Sequence, residues 1–231
     1  MAGTGRKAIY SYAGRVEAPQ PVPIPSRIGG FGGAEGLSAY IAQAGITHLV
    51  DATHPFADKM SRNAVQAAQI AGIPLIALTR PEWTPGEGDE WLNVPDLVTA
   101  VAALPKDPTR VYLAIGRTEI GRFAARPEHH YLLRLVDRPE TVPPLARHEV
   151  VVARGPFDVD SDRTLLESHR IELVVSKNSG GSGARAKLDA ARELGLPVLM
   201  IDRPALPERR EVASIPDVLE WLDHAGTERG V

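Results

Sequence analysis

Two stretches of this chain share one order of apolar and polar positions. From Ile46 to Pro81 a short apolar run leads into a polar turn, an Ala-rich stretch, a Gly-x-Pro step, a second apolar run and Arg-Pro. The same order returns from Ile171 to Pro204, an offset of about 120 residues that marks an internal repeat of one supersecondary unit. Each copy predicts strand, loop, helix, strand. In the first, Pro55 fits the opening turn of a helix whose Phe56, Met60, Ala64, Ala67 and Ala71 fall on one face before Gly72 ends it. In the second, Ala186, Ala190, Leu194 and Gly195 play the same parts, with Arg185 and Lys187 on other faces. The repeat extends further, since Val94-Pro95-Asp96-Leu97-Val98 is echoed by Ile215-Pro216-Asp217-Val218-Leu219, each with Pro near the start of an apolar-periodic helix.

The second strands of both units are continuous in Leu, Ile and Val, the pattern of a parallel sheet covered on both faces. The prediction is therefore an α/β protein of two Rossmann-like domains with mostly parallel sheets. Between the repeats, Arg110 to Ile115, Tyr131 to Val136 and Glu149 to Ala153 read as further strands, and Asp160 or Ser161 caps a helix carrying Leu165 and Leu166. Pro105-Lys106-Asp107-Pro108 places the junction, which divides the chain into residues 1–105 and 106–231. Ligands in open parallel sheets bind beyond the carboxyl ends of the strands, so the site is expected in the cleft between the two domains.

Composition narrows the function classes. With 231 residues, 43% of them hydrophobic, the chain can bury one large core or two small ones. A formal net charge of -3 leaves no global positive field to hold nucleic acid or an anionic membrane. Cysteine is absent, which excludes disulfides and thiolate metal sites. The first residues lack the apolar core of a signal peptide and no apolar run is long enough to span a bilayer. A soluble, cytoplasmic monomer is expected.

Candidate chemistry gathers at the predicted strand ends. Gly29-Gly30-Phe31-Gly32-Gly33 lets backbone N–H groups approach a ligand with no side chain in the way, although a Gly-rich stretch also serves as an ordinary turn. Ser11 and Arg15, with Gly14 between them, follow the apolar Ala8-Ile9-Tyr10, where a Rossmann fold recognises the adenosine ribose. An arginine there suits a 2′-phosphate. Asp51-Ala52-Thr53-His54-Pro55-Phe56 closes a strand and opens a helix, so Thr53 or His54 caps it, while His54 invites an acid–base role. Ser176 to Gly183 stands at the equivalent place in the second repeat, with Lys177, Arg185 and Lys187 adding positive charge before a helix start. Gly116-Arg117 and Arg154-Gly155-Pro156-Phe157 supply two more strand-end arginines. No metal is expected, because no second histidine stands at ligand spacing and His129 and His130 point to opposite faces of a strand.

Taken in order and spacing, SYAGR, GGFGG, DATHPFA, Arg80-Pro81-x-Trp83, Gly116-Arg117, RGPF and SKNSGG-x-GA-x-x-K resemble the precorrin-6A reductase family over nearly the whole chain. The resemblance implies NADPH as hydride donor, reduction of precorrin-6A to precorrin-6B in cobalamin synthesis, and a tetrapyrrole substrate rich in acetate and propionate groups. A related enzyme of the anaerobic route takes the cobalt-containing substrate. Together the readings assign Ser11, Gly14, Arg15, Gly30, Phe31, Gly32, Gly33, Thr53 and His54 to the cofactor. Arg80, Gly116, Arg117, Arg154, Lys177, Asn178, Ser179, Gly180, Gly181 and Lys187 are assigned to the substrate. Asp51, His54 and Lys177 are the candidates for proton delivery by position, while a solvent proton relayed through the cleft needs none of them, and positioning is favoured over acid catalysis. The family also implies a strand, a Gly-Gly-Thr turn and a helix ahead of SYAGR, so Met1 to Gly5 reads as the end of that helix and the first domain as N-terminally shortened. A non-catalytic tetrapyrrole- or nucleotide-binding module is the rival from another class; detectable NADPH turnover separates the two.

Overall fold

The computed structural model describes residues 5–12 and 21–224. Strands are β1 (Tyr10–Tyr12), β2 (Ser26–Ile28), β3 (Leu49–Asp51), β4 (Leu75–Leu78), β5 (Trp91–Val94), β6 (Arg110–Ala114), β7 (His130–Leu135), β8 (His148–Val152), β9 (Leu173–Lys177), β10 (Val198–Ile201) and β11 (Arg210–Val212). Helices are α1 (Ala34–Gln43), α2 (Asp58–Ala71), α3 (Leu97–Ala102), α4 (Val159–Ser168), α5 (Ala186–Glu193) and α6 (Ile215–His224), with a 3-10 helix over Arg117–Ala125. The strands form parallel pairs, as expected of an α/β chain.

Both copies of the repeat fold as read. β3-α2-β4 and β9-α5-β10 are parallel strand–helix–strand units, with Gly72 closing α2 at φ 63° and Gly195 just past α5 at φ 61°. The strand after each copy leaves it for the other. Strand β5, which comes after the first copy, pairs with β10 of the second, and β11, after the second copy, pairs with β4 of the first. The sheets are therefore β11-β4-β3 and β5-β10-β9-β6-β7-β8, with β1-β2 a separate pair. This exchange moves the expected boundary near residue 105. The described residues group into one compact unit of 5–12, 21–53, 57–78 and 206–224 and another of 54–56 and 79–205. Hydrogen bonding of β5 to β10 carries residues 79–105 into the second unit.

Strand pleat explains the core of the six-stranded sheet. Val111, Leu113, Tyr131, Leu133, Val175 and Ile201 cluster on one face with Phe123. Tyr112, Leu132, Val174 and Met200 take the other face, against Leu166, Leu188 and Ala191. In the first unit, Leu37 and Ile41 of α1 pack on Ala64 and Ala67 of α2, where the small side chains admit the larger ones. Two expected caps differ. α4 is capped by Asp158 in a reciprocal box with Ser161, and α2 starts only at Asp58, after Ala57, without a side-chain cap. Thr53 and His54 are committed to an earlier turn instead: the Thr53 N–H donates to Asp51 Oδ1, and the Phe56 N–H to His54 Nδ1.

Candidate active site

In the first unit, β2 delivers the glycine turn to α1, which begins after Gly33 with no side-chain cap. At Gly29, Gly30, Gly32 and Gly33 an added Cβ meets no atom within 4 Å, so the turn presents bare backbone to open space. Gly36 has the opposite reason for being glycine: a Cβ there falls 1.7 Å from the Phe31 carbonyl oxygen. Arg27 holds this turn from β2. Its Nη1 donates to Ser11 Oγ and to the Gly29 carbonyl, each at 2.9 Å, and Nη2 donates to the Gly30 carbonyl at 3.1 Å. The guanidinium lies 3.8 Å from the Phe31 ring centroid. Neither Gly36 nor Arg27 stands among the residues expected from sequence, although a glycine inside an apolar-periodic helix and a cation two residues before the glycines are visible signals. Ser11 sits within β1, in register with Arg27. Gly14 and Arg15 lie outside the described residues.

Asp51 ends β3 as a buried carboxylate with both oxygens occupied. Oδ1 accepts from the Thr53 N–H (3.0 Å) and hydroxyl (2.7 Å), and Oδ2 accepts from Ser61 Oγ and Arg209 Nη1, each at 2.6 Å. Such an acceptor shapes the turn after β3; it has no proton to offer while these donors hold it.

His54, Phe56, Lys177, Glu119, Arg80 and Arg203 form the polar cluster of the second unit. Lys177 closes β9, and its ammonium ion-pairs with Glu119 while standing 4.6 Å from the Phe56 ring centroid. Glu119 comes from the first turn of the 3-10 helix that opens after Gly116, and its Oε2 lies 3.5 Å from where a Cβ on residue 116 would be. The neighbouring Arg117 is exposed. Desolvation, followed by the charges of Arg80, Lys177 and Arg203, lowers the His54 pKa below the ordinary imidazole value, with Glu119 opposing. The residue is nevertheless exposed to solvent. With Nδ1 accepting from the Phe56 N–H at 3.2 Å, the neutral ring carries its hydrogen on Nε2 and presents a donor.

The loop after Lys177 is packed against the Arg-Pro-x-Trp segment. Asn178 is buried, its Oδ1 accepting from the Trp83 N–H at 2.8 Å and its Nδ2 donating to the Trp83 carbonyl at 3.0 Å. The Trp83 indole donates to the Gly181 carbonyl at 2.7 Å. A Cβ on Gly180, at φ +68°, lands 2.1 Å from the Pro81 carbonyl oxygen, so two backbones touch where only glycine fits. The Ser179 N–H folds back on the Lys177 carbonyl at 2.7 Å. Arg203, the second-repeat counterpart of Arg80, donates to the carbonyls of Asn178 and Arg80.

Several residues expected to meet substrate are thus occupied elsewhere. The Asn178 amide is spent on Trp83. Lys187 is buried, donates to the Ala184 carbonyl at 2.5 Å and lies 4.8 Å from the Trp83 ring centroid. Desolvation brings its pKa down to about 8, against the pull of Asp162. Arg154 stands at the end of β8 in an exposed pair with Asp137 at 2.5 Å. Arg80 and Arg117 remain, exposed and without a carboxylate partner among the described residues. The cluster therefore offers cations, a neutral imidazole donor and an ammonium, a set suited to a polyanionic ligand that must gain a proton. The described residues contain no group of His, Asp or Glu able to hold a metal.

The model of the family described as precorrin-6x reductase CbiJ/CobK matches residues 1–223. The chain belongs to that family. CbiJ/CobK membership makes it an oxidoreductase, as the ordered motifs led us to expect. A relative of Rhodobacter capsulatus, named precorrin-6A reductase, is 55% identical over all of this chain and 92% of its own length. A protein of the same name from a Sinorhizobium species is 48% identical, covering 93% of this chain and 82% of its own. Among solved structures, a CobK precorrin-6A reductase superposes with a TM-score of 0.89 at 53% identity, over 94% of this chain and 87% of that one. In this CbiJ/CobK chain no helix of the described residues is long and apolar enough to cross a membrane.

Proposed function

We propose that this chain reduces a ring double bond of precorrin-6A to give precorrin-6B in cobalamin synthesis, with NADPH as the donor. The observation that carries the reading is the cluster around Lys177: Arg80, Arg203 and the Glu119-paired ammonium crowd a neutral His54 at the carboxyl ends of β6 and β9. A macrocycle edged with acetates and propionates matches such a set. The glycine turn fits a dinucleotide, since its unobstructed backbone and the uncapped start of α1 leave N–H groups open to phosphate.

When bound, the nicotinamide supplies the hydride. The chain's own residues bind, orient and deliver a proton. Arg27 holds the glycine turn in shape, and Asp51 fixes the turn that ends in His54. His54, neutral, donates from Nε2 to a substrate carboxylate, and Arg80 and Arg117 balance further carboxylates. Of the three groups considered for protonation, Asp51 is saturated by donors and His54 is held neutral, which leaves Lys177. Glu119 and the Phe56 ring aim its ammonium, and solvent restores the proton afterwards.

The test is fluorescence titration with NADPH and NADH, then turnover with precorrin-6A and with its cobalt-containing form. Selective NADPH binding and oxidation with the metal-free substrate support the reading. Turnover of the cobalt form alone moves the chain to the anaerobic reaction, and binding without turnover makes it a binding module.

A further inference from the structure

Lys187 is a buried ammonium that the proposed chemistry does not use. It sits on α5 with 7% of its surface exposed, donates to the Ala184 carbonyl and faces the Trp83 ring. Charged groups reach it from other elements: Asp162 of α4 attracts it, and Arg134 of β7, ion-paired to Asp162, repels it. Tyr112 of β6 lies beside that pair, neutral because burial pushes its pKa up. Asp189 of α5 and Asp89 of the preceding loop are taken up by Arg185 and Arg192. Strands β9 and β10 meet this face with apolar Val174 and Met200. Holding the charge here works against the fold. The folded chain releases this proton near pH 8 and the unfolded chain near 10.5, so the unfolded state binds more protons between the two and stability rises with pH across that window.

What the ammonium supports lies toward the site. The Trp83 indole donates to the Gly181 carbonyl, and Asn178 clasps the Trp83 backbone through both of its amide atoms. Gly181, at φ +76°, lies against Arg80: a Cβ there would fall 2.5 Å from Arg80 Cδ. Lys187, Trp83, Gly181 and Arg80 thus form one line of contacts from α5 to an exposed guanidinium of the polar cluster.

We propose that Lys187 is a positioning residue for the substrate: through Trp83 and Gly181 it fixes Arg80 where a carboxylate of the ring meets it. Lys187 itself touches no substrate. The inference rests on the reading that the cluster around Lys177 takes a macrocycle edged with carboxylates. A buried cation that works against stability, yet braces the loop beside an open guanidinium, acts through the site it braces.

Steady-state kinetics with precorrin-6A and NADPH, paired with thermal denaturation, test the role. Lys187→Met is expected to raise the KM for precorrin-6A by about five- to 20-fold, the weakening of one charge-assisted contact, with kcat and the NADPH Kd changed by less than about twofold. Its thermal midpoint near neutral pH stays level with the parent's or rises, because the buried charge is gone. The parent's KM climbs as pH passes above about 8, whereas that of Lys187→Met is flat there. In an Arg80→Ala background, Lys187→Met adds less than about twofold to KM, since the two act in series. Trp83→Phe keeps a ring but loses the bond to Gly181. It is expected to raise KM by about three- to tenfold, and it carries the test if Lys187→Met does not fold. A lowered midpoint with unchanged KM overturns the proposal and makes Lys187 a purely structural residue; a full KM effect in the Arg80→Ala background overturns the route through Arg80. A parent chain without turnover overturns the functional reading and this role with it, whereas turnover with a KM indifferent to Lys187 and Trp83 overturns this role alone.

Discussion

Asp51 and Arg209, 158 residues apart in sequence, form a buried ion pair at 2.6 Å with side chains only 2% and 7% exposed. The pair ties the end of β3 to the segment entering β11, and it does so inside a unit whose outer strand comes from the far end of the chain. Removing one partner leaves the other charge buried. Arg209→Met is expected to cost about 3–5 kcal/mol, read as a lower midpoint in urea denaturation, whereas replacing both residues by apolar ones of similar size costs less. Equal losses in the single and double variants remove the ion pair as the cause.

Lys177→Ala is expected to lower kcat by about 10²- to 10⁴-fold, the usual contribution of a positioned acid, with the NADPH Kd changed by less than about twofold. Glu119→Gln reproduces part of this loss by freeing the ammonium, and Glu119→Asp recovers some of it. Unchanged single-turnover rates in Lys177→Ala show that the proton comes from elsewhere.

The lowered His54 pKa makes stability depend on pH in a definite direction. The unfolded chain protonates this residue near the ordinary value of 6.5, while the folded chain resists protonation until lower pH. The unfolded state thus binds more protons in that window, and stability falls as pH drops from 6.5 toward the folded pKa. His54→Asn removes this contribution, so the parent's thermal midpoint relative to the variant is expected to be higher at pH above 6.5 than below it. A proton NMR titration of the ring showing a pKa at or above 6.5 contradicts the assignment.

Gly36→Ala drives a methyl group into the Phe31 carbonyl. The turn must move, at a cost of about 1–3 kcal/mol for an overpacked site, and cofactor binding is expected to weaken together with stability. Gly30→Ala, where an added Cβ meets nothing, leaves stability nearly unchanged yet weakens the cofactor. A Gly30→Ala chain that binds NADPH like the parent argues against the turn as the cradle.

Much of the site is legible in the sequence because strand ends and turn residues are written locally. Lys177, His54, Arg80 and the glycine turn stand out by their positions at the ends of apolar runs, and the structure puts His54, Arg80 and Lys177 in one electrostatic cluster. Glu119 escapes such a reading because an acid in a 3-10 helix looks like an ordinary surface residue, whereas Arg27, two residues before the glycines, carries a signal that the strand-end reading passes over. Asn178 and Lys187 read as ligand contacts for the converse reason: polar residues near a Gly-rich loop look available until Trp83 is brought against them.

Periodicity and turn chemistry act over a few residues, so the parallel α/β class, the two strand–helix–strand repeats and the strands between them are set by sequence alone. Which strand lies beside which is settled in three dimensions. β5 and β11 are both short strands placed alike in the repeat, and their position in it does not distinguish staying with one's own copy from crossing to the other. That choice belongs to the packed sheets, where β5 completes its hydrogen bonds on β10 and β11 on β4. The same holds for charge: sequence marks where a cation stands, but whether it meets Asp51, Trp83 or an open surface depends on the chain that folds back against it.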